Sequence, residues 1–410
     1  MALRGLEALR SRNYVLYFVG HFTSQTGAWV EQTAVSWILY ELTGSAVLLG
    51  LAGLARAAPT IALALIGGAV ADRLPRRAML YCTESLMLMN SLAIGVLAWS
   101  GRLEYWHLYV LSFVNGTLSA FSVPARQALF AGLVPKSAMQ SAVTFNAVAV
   151  RCGVLIGPAI GGAALAYGSY ALPFWINAAS FLGMLAALAA MRLPRDEPHQ
   201  RAAPGTLWHG MQEGLRFVWD HAPLRVALAL EVVSGLFGHN ITLITIIAKD
   251  VIGTDAQGLG WLLSALGAGG MAAMVFMVFA PLRRHMRVIL YAGAVYCVLL
   301  AAFAVSPWLP LSIALLFLLG TCDGIWGVNR NTLAQTLVPD ALRGRVMSVV
   351  VLTTRGSAPL GRLQAGFVAD IMGAPAATLV GATVIAAAIA KWWPLRHCET
   401  DSHDAVTRSR

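Results

Sequence analysis

Apolar and polar positions alternate along this chain in long blocks: hydrophobic runs of about twenty residues or more are separated by short charged connections. A helix rises about 1.5 Å per residue, so some 20 apolar residues cross the ~30 Å hydrocarbon layer of a membrane. Such runs lie at 14–42, 47–71, 78–100, 105–125, 139–167, 170–191, 224–248, 258–282, 288–305, 309–327, 342–369 and 374–393. The pattern predicts an all-α integral membrane protein with twelve transmembrane helices.

The longest polar connection, 192–223, contains Pro194, Pro198 and Pro204. It separates an N-terminal six-helix half (1–191) from a C-terminal one (224–394), which a short tail (395–410) follows. Within the connection, Leu207, Met211, Leu215, Val218 and Trp219 recur at helical spacing opposite His209, Gln212, Glu213 and Arg216. This predicts an amphipathic helix lying on the inner membrane surface.

The halves repeat one another. At one constant separation Leu133-Val134-Pro135 matches Leu337-Val338-Pro339, and Gly116, Arg126, Arg151, Gly157 and Gly162 match Gly320, Arg330, Arg355, Gly361 and Gly366. Earlier positions keep the correspondence with another loop length: Gly50, Arg73 and Arg77 match Gly260, Arg283 and Arg287, and Gly20-His21 echoes Gly238-His239. An even number of spans per half gives both copies one orientation. The halves are therefore pseudo-symmetric parallel repeats about an axis along the membrane normal.

Composition agrees, with 58% hydrophobic and 12% charged residues against about 45–50% and ~25% in soluble domains. The net charge of +10 follows topology: of 29 Lys and Arg, only Arg102 and Lys249 fall in the odd-to-even connections, and Arg56, Arg151, Arg355 and Arg362 lie inside spans. This positive-inside bias places both termini in the cytoplasm, so the basicity does not point to nucleic acid as a partner. The first 13 residues, with Arg4, Arg10 and Arg12, resemble a signal-peptide start. The run that follows is too long and lacks a cleavage site, so it reads as a retained first span. Five cysteines stand singly, without a CxxC pair, and read as packing residues rather than metal ligands.

Two stretches carry a family pattern. Gly68, Asp72, Arg73, Arg76 and Arg77 resemble the loop 2-3 signature of the major facilitator superfamily, with Pro75 where a glycine is usual. In span five, Gly153, Gly157, Pro158, Gly161 and Gly162 match the signature that the superfamily's exporters carry. Small residues let helices approach closely, and the proline removes a backbone donor and bends the span. Together with Trp37, Thr43-Gly44-Ser45, Pro59 and Leu133-Val134-Pro135, the chain resembles the subgroup that includes the enterobactin exporter, other siderophore exporters and many drug-efflux proteins. The resemblance implies the major facilitator fold and secondary transport without ATP or another cofactor, by a monomer in the bacterial inner membrane. It further implies that Asp72 faces the positive N-terminal end of span eleven, where a helix dipole favours an anion. With the arginines, Asp72 would latch the cytoplasmic side shut.

Ionisable residues within spans are costly and normally face a cavity or one another. In span one, His21, Gln25, Trp29, Gln32 and Ser36 form one polar face. The resemblance places spans one, four, seven and ten around the substrate cavity, which makes Gln25, Trp29, Gln32, Asn115 and Trp326 lining candidates. Glu31 is either a proton carrier or the structural partner of Arg56. Asp323, absent from the first copy, is either a carrier or a partner of Arg330 or Arg355. Arg151 and Arg355 either attract an anionic substrate or cap carbonyls freed at the glycine-rich bends, and Arg362 has no account. His21 and His239 either relay protons or pack. Glu84 and Glu231 read as gate or anchor charges. The expected function is proton-coupled export of a small amphiphilic molecule, a siderophore or drug. Lipid or lysophospholipid transport and import are the alternatives, and a membrane enzyme is disfavoured because no HExxH or GxSxG motif is present.

Overall fold

A computed structural model describes residues 4–71, 73–192, 206–280, 282 and 284–397. Every regular element in it is helical. The long helices are α1 (Arg12–Thr43), α2 (Ala46–Ala71), α3 (Arg76–Trp99), α4 (Tyr105–Ala131), α5 (Met139–Ala166) and α6 (Leu172–Ala190). After the connection come α7 (Thr206–Asp220), α8 (Ala222–Phe237), α9 (Ile241–Ile246), α10 (Ala256–Phe279), α11 (His285–Ala304), α12 (Leu309–Leu337), α13 (Asp340–Met372) and α14 (Ala374–Trp392). Ten helical stretches among the described residues are long and apolar enough to span a membrane. The other two expected spans, α1 and α13, run 32 and 33 residues and are diluted by polar side chains.

Local chemistry sets the ends. Ser11 caps α1 by accepting from the Tyr14 amide, and Gly44 ends it in the left-handed region at φ 60°, where glycine carries no Cβ penalty. Pro59, Pro124, Pro158 and Pro359 sit inside α2, α4, α5 and α13, and each removes one helix hydrogen bond.

The chain divides into two compact units, residues 1–201 with 254–264, and 202–253 with 265–410. In the first, α1 packs on α5 and α6, α2 on α4, and α3 on α4 and α6. Glycine seams hold these contacts. A Cβ on Gly153, Gly157 or Gly161 of α5 would run into α1 at Gln25, at Trp29 and Thr26, and at Val30. One on Gly162, on a different face, would meet Ala256 and Gly260 of α10. The exporter signature is thus a two-sided packing surface. In the second unit α8 packs on α13 and α14, and α11 on α12 and α14.

The repeat holds atom by atom. A Cβ on Gly116 of α4 would collide with the carbonyl of Arg56 on α2, and one on Gly320 of α12 with the carbonyl of Leu266 on α10. By the sequence correspondence, Gly116 matches Gly320 and Arg56 matches Leu266.

One expected span is not continuous. The run 224–248 breaks at Gly238, whose backbone is extended, and restarts at Asn240, whose side chain accepts from the Leu243 amide to cap α9. The His239 amide donates to the Tyr296 hydroxyl, which in turn reaches His239 Nδ1, both at 2.8 Å. A break inside a membrane needs such partners for its freed polar groups. A π-helical turn, Ile247–Val251, follows.

Helix α7 runs through the 192–223 connection, and Val218 lies in a different environment from Leu215 and Trp219. Val218 is buried with Leu224, Val346 and Val349, Gly214 lies against the Arg345 backbone, and Glu213 pairs with Arg345. Leu215 and Trp219 stay exposed.

Candidate functional site

The polar side chains of the first unit converge on Glu31. It sits past the middle of α1, only 3% exposed, with α3, α4 and α6 alongside. Asn115 Nδ2 of α4 donates to its Oε1 at 2.7 Å, and Asn177 Nδ2 of α6 to its Oε2 at 2.6 Å. Asn90 fixes the Asn115 amide by donating to its Oδ1 at 3.1 Å. The Ser91 hydroxyl lies 2.9 Å from the Phe174 carbonyl and 3.3 Å from Glu31 Oε2. A hydroxyl carries one proton, and the shorter contact claims it for Phe174. A Ser91 lone pair is then left facing Glu31, a geometry that suits a protonated acid donating to the serine.

Beside Glu31 lies a cavity of about 190 Å³, with Gln25, Arg56, Asn115, Ser119 and Arg126 among its walls. Glu31 and Arg56 share this cavity, but the direct pair expected between them is not formed. The Asn115 and Asn177 amides bond the Glu31 carboxyl instead, and among the described residues the Arg56 guanidinium makes no hydrogen bond or ion pair. Its electrostatic partner is Glu31 across the cavity.

At one side of the cavity Arg126 pairs with the fully buried Glu84 of α3 and donates from Nη1 to His21 Nδ1 at 3.1 Å. The guanidinium cannot accept, so that ring nitrogen is the acceptor and His21 is a neutral packing partner, stacked on Tyr17 at 5.5 Å. Of the predicted polar stripe, Gln25 lines the cavity, Trp29 packs on Gly157, and Gln32 and Ser36 are half-buried and buried.

The second unit differs from expectation in three places. Arg330, one of the two partners expected for Asp323, pairs with Glu231 of α8 instead. Asp323 is exposed, within electrostatic range of His239, Tyr296 and Glu231. Trp326 is 2% exposed and wedged against Gly293 and Tyr296, a core residue and not a lining one. By helical spacing Asp323, Trp326 and Arg330 share one face of α12, but Arg330 reaches to α8 while Trp326 turns to α11. Arg151 is half-buried on α5, Arg355 exposed on α13 and Arg362 half-buried beside Gly361; none lines the first unit's cavity. Of the loop signature, Gly68, Arg73, Arg76 and Arg77 are placed. Arg77 caps the Ala189 carbonyl at 3.2 Å, and Arg76 the Ala128 carbonyl at 3.0 Å. Asp72 lies outside the described residues.

The Arg330–Glu231 pair, with the arginine buried and the carboxylate partly so, carries a stability prediction. Glu231→Ala leaves a guanidinium uncompensated in an apolar setting, and is expected to cost about 3–5 kcal/mol. Adding Arg330→Met should recover most of that loss in thermal unfolding of the detergent-purified protein. Equal stability of the wild type and the Glu231→Ala variant would show that the pair does not hold α8 to α12.

Two repeated helical units of membrane-spanning character, with ionisable groups turned toward an internal cavity, define a membrane transporter rather than an enzyme. The chain superposes on a bacterial homologue of the human lysosomal transporter Spinster, solved in an inward-facing, unoccupied conformation, with a TM-score of 0.67 at 14% identity, covering 93% of this chain and 94% of that one. The chain belongs to the transmembrane secretion effector family, whose pattern it matches over residues 4–410, and it is a transporter of the major facilitator superfamily. It is 27% identical to the multidrug efflux pump Tap of Mycolicibacterium fortuitum over 88% of this chain and 90% of Tap. It is 25% identical to the staphyloferrin A transporter of Staphylococcus aureus, over 87% and 89% of the two chains. With the enterobactin exporter EntS of Shigella boydii it shares 24% identity over 80% and 78%.

Proposed function

We propose that this protein is a proton-coupled exporter that carries a small amphiphilic molecule across the bacterial inner membrane by alternating access. The observation that carries the reading is Glu31: a carboxyl buried deep in a transmembrane helix, held by neutral amides, at the wall of an internal cavity. A group so placed is costly unless it has work to do. A carboxyl at a cavity wall, reached by water in one state and closed off in another, can take and give a proton as that access changes. Export, rather than import, is supported by the glycine-rich signature of α5 and by relatives named as an efflux pump and an exporter. The positive-inside distribution supports both termini in the cytoplasm, and the six-helix halves 1–191 and 224–394, joined by 192–223, are the bodies that would rock. The protein acts as a monomer among membrane lipids, with protons and one small solute as its partners.

Metabolite profiling of a deletion strain, with and without iron starvation, tests the substrate. A siderophore is expected to build up inside the cell and to fall in the medium. Unchanged siderophore secretion, with raised sensitivity to amphiphilic drugs, would assign the protein to drug efflux instead.

A further inference from the structure

The cavity of the first unit sets a guanidinium and an ionisable carboxyl against one small space. Arg56 enters from α2 with no hydrogen-bond or ion-pair partner among the described residues, and Glu31 enters from α1. They lie beyond ion-pair distance, so neither neutralises the other directly. Apart from Arg126 the rest of the lining is uncharged, with Gln25, Asn115 and Ser119 beside the apolar Ala28, Met87, Val123 and Phe181, and the volume is far above the ~10–15 Å³ that one water needs. The third charge, Arg126, is already neutralised by Glu84. The neighbouring helices add no other charge at Glu31: α3 and α6 contribute Ser91 and Asn177, His21 is held by Arg126, and Arg151 and Cys152 of α5 lie off the cavity.

We propose that this cavity binds the zwitterionic head group of the transported molecule, an ammonium at Glu31 and a carboxylate at Arg56. A carboxylate offers about four lone-pair directions. Asn115 and Asn177 use two, which leaves room for an ammonium. Arg56 can meet a carboxylate with two parallel hydrogen bonds. In the empty site the Ser91 geometry accommodates a proton on Glu31. An arriving ammonium takes over that positive charge, so binding releases one proton from Glu31 to solvent. Substrate and proton then exclude each other at one carboxylate, which is the condition for exchanging one for the other across the membrane. The inference rests on the proton-coupled reading above and adds the chemistry of the solute.

The test is calorimetry on the purified full-length protein in detergent, run in two buffers of different protonation enthalpy. The probes are L-phenylalanine (zwitterion), L-phenylalaninamide (cation) and N-acetyl-L-phenylalanine (anion). The zwitterion is expected to bind roughly ten- to hundredfold more tightly than either singly charged analogue, the range of one charge-assisted hydrogen bond, with release of close to one proton. Arg56→Gln should erase the preference over the amide, and Arg56→Lys should restore part of it. Glu31→Gln should erase both the preference over the N-acetyl compound and the proton release. No saturable binding of the zwitterion, equal binding of all three probes, or discrimination unchanged in Arg56→Gln overturns the proposal. Gradient-driven dye efflux by the same preparations in liposomes separates the two readings. If efflux fails in Glu31→Gln but zwitterion selectivity is absent, only the head-group assignment falls. If efflux ignores Glu31, the coupling assignment falls.

Discussion

Glu31→Gln is expected to abolish active efflux while exchange of substrate without a gradient continues. Glutamine keeps the length and an acceptor for the Asn115 amide, but cannot bind and release a proton. Its own amide faces the Asn177 donor, which then has to turn over. That mismatch costs about 1–3 kcal/mol, small enough for a folded and correctly inserted protein. In liposomes carrying an imposed proton gradient, uphill dye accumulation should fall to the level of empty liposomes, while counterflow stays within severalfold of wild type. Glu31→Ala is a different experiment: it strands the Asn115 and Asn177 donors without an acceptor, so a loss there reports packing as well as coupling. Uphill transport in Glu31→Gln equal to wild type would remove this carboxylate from the coupling route and leave Asp323 as the exposed alternative.

The second large effect concerns α2 and α4. In Gly116→Val the added side chain meets the Arg56 carbonyl and Pro59, which are backbone and ring atoms that cannot swing aside. Overpacking costs about 1–3 kcal/mol where side chains can adjust and more where helices must separate. Gly116→Val is therefore expected to yield little folded protein, and Gly116→Ala a lowered melting temperature. The matched position should respond alike, since Gly320→Ala meets the Leu266 carbonyl. Gly327→Ala is the opposite-signed control. It also lies within a helix but has open space around it, so relief of glycine's backbone entropy should stabilise it by about 0.5–1 kcal/mol. Size-exclusion yield and thermal unfolding in detergent measure all four; similar behaviour of Gly116→Ala and Gly327→Ala would refute the seam.

The fold was legible because a membrane imposes it. Each span had to be a continuous apolar run, and duplication printed the same glycines twice. The break at Gly238 was not legible: the apolar run passes through it, and Gly238-His239-Asn240 signals a helix stop and restart only once Tyr296, from another helix, satisfies the freed groups. The site was half legible. Glu31 and Arg56 stood out as charges in apolar runs, but a helical period gives the face of one helix and not the donors that others bring to it. Asn90, Ser91 and Asn177 were missed for that reason. Uncharged amides in spans were the signal available, and only Asn115 was singled out. The same limit explains Trp326 and Arg330, which share a stripe on α12 yet turn to different neighbours.

Gly116 contacts Arg56 through the arginine's main-chain oxygen, and Gly320 contacts Leu266 in the same way. The joint between these helices is indifferent to which side chain grows from the second position. After the ancestral gene doubled, one copy could carry a guanidinium at this position and the other a hydrocarbon without altering the glycine contact itself. Selectivity in such a protein can drift residue by residue while the scaffold stands still, which is how one architecture comes to serve relatives with different cargoes.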